Sequence, residues 1–497
     1  MCEVPVHDLE VVNVQNYETF AHPIILLKGT IGNPCTSAKL KVVSSQNQPI
    51  PCSSTIEGKN GGTSEPSSVA NFRLILRLNA GQNDIDLVCC GGKKSLTLFY
   101  TKAASRYTVV PLYIICAGHT GHYQSYENDE ENDCAGACRK ITLSIELLQC
   151  LYAEKLHETG FGRKTFTVGS SCVPFRSALD WGRSSTMKEG ELWQHFASEL
   201  VQCKQYDLSR VKLVAFLSST HFEGISDGDY SYENIRKKTT GHVALGGGGL
   251  ALFGTGCLYT WPATLEAVCD AFTSRRPIDC DKLLDDSNYR RTYGGCYATT
   301  LGSVCHEMGH TFDLGHTPDS SIMGDGLDGI DSVFVGSSGR PGVNNVAGPR
   351  RLIETRPRGP AGRLTQLKRP GDVFRQRMES KCNDGIFFAL NSAVTLSYHR
   401  WFNQSIEASC DNNSAPLHYD HGTRTINSID SPIVLVELRL TTNGMMQKCW
   451  TFPQAKCPTS FTLPKLPTLE DRTLFAMNAV GNIMKVDLSS INLEINQ

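Results

Sequence analysis

One stretch constrains this chain more than any other: H-E-M-G-H-T-F-D-L-G-H, from His306 to His316. Three imidazoles and a carboxylate fall within eleven residues. Residues four apart share a helix face, so His306 and His310 can each aim a ring nitrogen at a common ion about 2.0–2.1 Å away. Glu307 sits a step round the helix, beside such an ion, where it can take a proton from activated water. On a straight helix His316 would lie too far along to converge, so the chain must bend before it. Asp313 and Gly315 are the residues that permit a bend, because glycine takes positive φ freely and aspartate sometimes. Three neutral histidines with an open fourth position suit one catalytic Zn2+. The competing reading, solvated histidines on an ordinary helix, does not account for the S-I-M-G turn that follows at Ser321 to Gly324.

These residues resemble the metzincin clan of zinc metallopeptidases, whose pattern is H-E-x-x-H-x-x-G-x-x-H followed by a methionine turn. The flanking text, S-V-C-H-E-M-G-H-T-F-D-L-G-H-T-P and then S-I-M-G-D-G-L-D, is similar to a group of eukaryotic intracellular zinc peptidases defined largely by sequence. The resemblance implies metal ligands His306, His310 and His316, a general base at Glu307, and Met323 as an apolar floor beneath the metal. The clan's helix-break glycine is Asp313 here, and Asp325 stands where some members carry a tyrosine. The implied fold is α/β (α+β): a twisted, mostly parallel sheet carrying an active-site helix, flanked here by N- and C-terminal β modules.

Taken in order, residues 1–104 carry short apolar runs and turn signals without helical period, which predicts a β-sandwich-like module. From residue 105 strands and helices alternate. Ile141, Ile145, Leu148, Tyr152 and Leu156 form one apolar stripe of a long helix, and Val109 to Cys116 and Val211 to Leu217 read as buried strands. Gly246, Gly247, Gly248, Gly249 and Leu250 lie in a glycine-rich run after His242. In the resembled fold the strand before the active-site helix borders the cleft and binds extended peptide at its edge, which suits a backbone that admits close approach. A flexible loop is the alternative reading. The active-site helix is expected to begin near Ala298 to Thr300, capped by a threonine. Residues 336–381 hold eleven basic against three acidic residues among many Gly and Pro, a composition expected to be disordered. The catalytic domain is therefore expected over 105–335 and 382–410, with a C-terminal β module over 411–497 whose role the sequence does not specify. There Asn443-Gly444 is a hairpin signal. His399 reads as a packing or surface residue rather than a fourth ligand.

A net charge of −2 gives no field favouring nucleic acid or membrane, and no apolar run reaches 18 residues. The N-terminal residues lack a basic segment followed by an apolar core, which argues against a secretory signal. Twenty scattered cysteines then read as reduced thiols. The expectation is a cytoplasmic or nuclear zinc metalloendopeptidase acting on peptide or protein through zinc-activated water. The alternative is a non-catalytic zinc-containing binding protein with β recognition modules. Oligomeric state and cleavage specificity have no readable signal.

Overall fold

The computed structural model describes residues 7–33, 39–46, 48–57, 69–127, 129, 131–336, 384–403, 416–429, 431–452, 456–465 and 471–488. All of the basic segment expected to be disordered, apart from Gly336, lies outside them. The N-terminal module is two four-stranded sheets. One orders Leu9–Val11, Ile24–Gly32, Val69–Arg77 and Cys52–Glu57; the other orders Thr19–Phe20, Gly92–Tyr100, Gly81–Cys89 and Leu40–Ser44. The apolar run at Ile24 to Leu27 is continuous because both its faces are covered. Ile25 and Leu27 point between the two sheets, whereas Ile24 and Leu26 join the core of the next layer.

The central sheet holds strands β1 (Thr108–Ala117), β2 (Val173–Asp180), β3 (Val211–Leu217), β4 (Ala244–Gly247) and β5 (Leu250–Gly254). β1 pairs parallel with β2 and β3, and β3 pairs parallel with β5. Only β4 runs antiparallel, pairing with β5 at one edge. Helices α1 (Cys134–Glu158) and α3 (Tyr293–Thr311) share the core on one face, and α2 (Glu189–Gln202) covers the other through Leu192, Phe196 and Leu200. Asp133 caps α1 by accepting from Gly136 N at 2.7 Å, and its stripe Ile141, Ile145, Leu148, Tyr152 and Leu156 is fully buried. Helix α3 begins two turns earlier than its sequence suggests. Thr292, not a threonine near 300, is the cap, accepting from Gly295 N at 3.1 Å. The glycines at 294 and 295 hide the start by their low propensity, but tertiary packing offsets it: Gly294 lies against Phe272 O, where a side chain would not fit.

One network of four charged residues, Lys28, Lys155, Glu158 and Asp384, ties the layers together. Lys155 and Asp384, both fully buried, pair at 2.7 Å, and Lys28 of the N-terminal module bonds Glu158 at 2.7 Å. Helix α4 (Leu390–Tyr398) leads to Trp401 and Phe402, and Phe402 packs with Tyr152, Phe166 and Phe312 beneath α3. The C-terminal module contains β6 (Ile433–Leu440) and β7 (Met446–Thr451) in a four-stranded antiparallel sheet beside a three-stranded one. The described cysteines are thiols, none in a disulfide. No helix among the described residues is long and apolar enough to cross a membrane.

Candidate metal centre

His306 and His310 project from the last turns of α3, and the chain then turns back sharply. Phe312 is the C-cap, and Asp313 takes a left-handed φ of 64°. That reversal brings His316 home. The ligand nitrogens of His306, His310 and His316 lie within 4.8 Å of one another, with His310 Nε2 at 3.1 Å from His306 Nε2 and 3.2 Å from His316 Nε2.

The tautomers follow from the partners. His306 Nδ1 faces Ile322 O at 2.8 Å, His310 Nδ1 faces Leu314 O at 2.9 Å, and His316 Nδ1 faces Asn443 O at 2.6 Å. A carbonyl only accepts, so each Nδ1 carries the proton and each Nε2 presents a lone pair. Three converging lone pairs repel one another unless a cation stands among them. Donors at 2.0–2.1 Å on a tetrahedral ion stand about 3.3–3.4 Å apart, close to the spacing here. The donor set fits zinc. Burial, then the neighbouring His316, lowers the His306 pKa to about 4, and burial with the two neighbouring rings holds His310 well below its usual value. Both rings are therefore neutral at pH 7, the form a metal requires.

Asp313 has its own support. Burial would raise its carboxyl pKa, but His399 at 3.2 Å and Lys485 at 2.5 Å more than offset this and hold it well below the carboxylate range. Burial keeps His399 itself below its ordinary pKa, so it donates Nε2–H as a neutral ring. His399 is buried against Phe312 and Trp401, and is a packing residue outside the histidine cluster. Met323 is fully buried with its sulfur against Gly309, next to His310, and Thr317 N donates to its carbonyl. Asp325 is exposed on the turn.

Glu307 is half-buried, and its Oε2 accepts from Gly246 N at 2.6 Å. A side chain at 246 would meet Glu307 O at 1.9 Å, so only glycine lets the edge strand lie this close to α3. The glycine run is not one flat edge. Gly246 and Gly247 end β4, and Gly248 and Gly249 make the tight turn. Leu250 must be corrected: it opens β5 inside the sheet, buried, with its carbonyl accepting from Trp193 Nε1. The register turns the peptide groups of Ala244 and Gly246 away from β5. Ala244 N accordingly donates to Glu189 Oε1 at 3.0 Å. About one helical turn before Glu307, a cavity lined by His242, Phe253, Trp261, Asp286, Thr300 and Ser303 runs along α3 towards its N-terminus.

Comparison with known proteins decides the family. The family described as "Putative peptidase family" matches residues 8–385, more than half of the chain. The chain belongs to this family. That membership agrees with the zinc-peptidase resemblance read from the motif. Among curated proteins, this family member is 27% identical over 345 residues to a "Putative zinc metalloproteinase" of Schizosaccharomyces pombe, covering 63% of this chain and 51% of that protein. It is 22% identical over 362 residues to a "Putative zinc metalloproteinase" of Saccharomyces cerevisiae, covering 64% of this chain and 47% of that one. The chain thus spans about half the length of the curated relatives it matches. Among solved structures, amylomaltase from Corynebacterium glutamicum reaches a TM-score of only 0.14 at 8% identity, over 43% of this chain and 22% of that one. That likeness is too low to bear on the fold.

The histidine-bearing motif was legible in the sequence. Asn443, Arg439 and Glu189 were not identified as site residues; Asn443-Gly444 carried a hairpin signal, but nothing in it pointed to His316.

Proposed function

We propose that this chain is a zinc-dependent metalloendopeptidase, with His306, His310 and His316 holding one Zn2+ and Glu307 as general base. The observation that carries the reading is the convergence of three Nε2 lone pairs, each oriented by a backbone carbonyl, beside a tethered carboxylate. Zinc held there would supply Lewis acidity, lowering the pKa of water and polarising a scissile carbonyl. Glu307 takes the proton from the attacking water and delivers it to the leaving amine. The Gly246 N–H fixes the carboxylate's direction, so little reorientation is needed for the transfer.

Substrate chemistry follows from the edge strand. β4 is the antiparallel rim of the sheet and lies against Glu307; with the Ala244 and Gly246 N–H groups donated to Glu189 and Glu307, its outward carbonyls at those two residues suit an extended peptide added along the rim. The cavity beyond Ser303 would take a side chain of that peptide, its Phe253 and Trp261 walls favouring an apolar one. A non-catalytic role would be favoured if Asp313, in place of the clan's glycine, prevented the bend before His316. Since Asp313 adopts the required left-handed backbone and is pinned by His399 and Lys485, that residue does not favour it.

The test is a peptide-library digest with zinc analysis on the same samples. Wild type is expected to hold one zinc and cleave, and Glu307→Gln to keep the zinc while losing about 10²–10⁴-fold in rate. Equal cleavage by the variant would remove Glu307 from the mechanism. Zinc without cleavage in wild type would favour the binding-protein reading.

A further inference from the structure

The C-terminal module reaches the metal centre with the tip of one hairpin. Between β6 and β7, Gly444 N donates to Leu440 O at 2.8 Å, Leu440 N to Met445 O at 2.9 Å, and Met445 N to Asn443 Oδ1 at 3.0 Å. The tip is thus closed by its own bonds before it meets anything else. It then pairs with the ligand segment as a short parallel bridge between His316 and Met445. His316 N donates to Gly444 O at 3.1 Å, and Met446 N donates to His316 O at 2.9 Å. The ring follows the backbone, with Nδ1–H on Asn443 O at 2.6 Å.

Below the tip, Arg439 fixes the bend itself. Its Nη1 donates to Asp313 O at 2.8 Å while its Nε bonds the buried Glu437 at 2.6 Å, and Asn391 Nδ2 bonds the other oxygen of Glu437 at 2.7 Å. The guanidinium lies 4.0 Å over the Phe475 ring. Gly315 leaves room for this approach: a side chain there would meet Gly444 O at 2.7 Å and Arg439 Nε at 2.9 Å. The segment 313–316 is therefore held from the C-terminal module at both its backbone and its ring.

Resting on the zinc reading above, we propose that the Asn443-Gly444 tip is a positioning element of the metal site. It sets the tautomer and ring direction of His316, so metal affinity depends on a hairpin 127 residues downstream of the ligand and beyond the residues that define the family match. Partners of a ligating histidine typically change metal affinity 10–100-fold when lost. Linkage makes the effect reciprocal, so zinc should also tighten the tip against residues 313–316.

Gly444 offers a clean test. Its φ is 69°, and no heavy atom lies within 4 Å of where a Cβ would stand. Gly444→Asn should fit, because asparagine tolerates this conformation, whereas Gly444→Pro cannot take it and loses the bond to Leu440 O. On the full 497-residue chain, Zn2+ affinity is read by competition with a chromophoric chelator, and ligand geometry by the visible spectrum of the Co2+-loaded protein. Gly444→Pro is expected to weaken Zn2+ about 10–100-fold and shift the Co2+ bands, with Gly444→Asn within about threefold of wild type. In wild type alone, saturating Zn2+ should slow hydrogen exchange at the Met446 amide at least about tenfold, a readout independent of any variant's folding. Wild-type Zn2+ affinity and Co2+ spectrum in Gly444→Pro, or Met446 exchange indifferent to Zn2+, overturns the proposal and leaves the three-histidine site standing. A wild-type chain that binds no Zn2+ overturns both.

Discussion

His306 and His310 are held very differently from His316. The carbonyls that orient the first two come from 16 and 4 residues away, within the helix break and the methionine turn. The carbonyl that orients the third comes from 127 residues away, on another module. The first pair is secured by one helix and the turn that follows it. On the proposed reading, the third ligand is oriented for metal only when a distant hairpin is docked. A metal site can thus be local in its ligand spacing and still depend on long-range tertiary structure for its completion.

From this contrast, the largest effect belongs to the helix-borne histidines. His310→Ala should weaken Zn2+ by more than about 100-fold, exceeding anything done at the hairpin tip, as measured by chelator competition. A smaller loss than that of Gly444→Pro would invert the comparison.

A second effect is electrostatic and falls on the metal-free chain. The folded His306 has a pKa of about 4, against 6.5 for the ordinary side chain. Between those values the unfolded state binds more protons than the native state, so stability is complete above about pH 6.5 and is lost as pH falls towards 4. The full loss is about 3 kcal/mol for this ring at 1.36 kcal/mol per unit. His22, buried and lowered to about 3 by desolvation and then by Arg163, acts in the same direction. Denaturant titrations of metal-free wild type and His306→Gln across this range should separate the two. Identical pH slopes would show that His306 does not titrate below its usual range.

The smallest effect concerns the bend. Asp313→Ala should destabilise the chain by about 2 kcal/mol, since alanine pays the left-handed cost without the bonds to His399 and Lys485. Asp313→Gly, which relieves the backbone but also loses the partners, should cost about 1 kcal/mol in the same unfolding assay. If the two variants are equal, the left-handed backbone is not what limits the bend.

The contrast also explains what the sequence could reveal. Spacing is enough to place His306, Glu307 and His310, because a helix converts a four-residue interval into one face. The stripe from Ile141 to Leu156 was readable for the same reason, and the strand at Val211 to Leu217 because its apolar run is short and bounded. Asp313 as the turning residue was also accessible, since few residues other than glycine take positive φ. The start of α3 was not, because Gly294 and Gly295 are there to admit Phe272 and Arg290, a tertiary reason with no periodic trace. Nor could Gly246 be assigned to its true neighbour. A glycine records that something comes close, and here that is the backbone of Glu307 as well as any substrate. Asn443-Gly444 shows the general case: a turn signal predicts a hairpin, while its docking partner depends on how two modules pack.

The most direct measurement is zinc K-edge X-ray absorption on the zinc-loaded wild-type chain. Three imidazole nitrogens and lighter oxygen scattering at about 2.0–2.1 Å are expected, falling to two imidazoles in His316→Ala. Sulfur near 2.3 Å, or only two imidazoles in wild type, would contradict the three-histidine site.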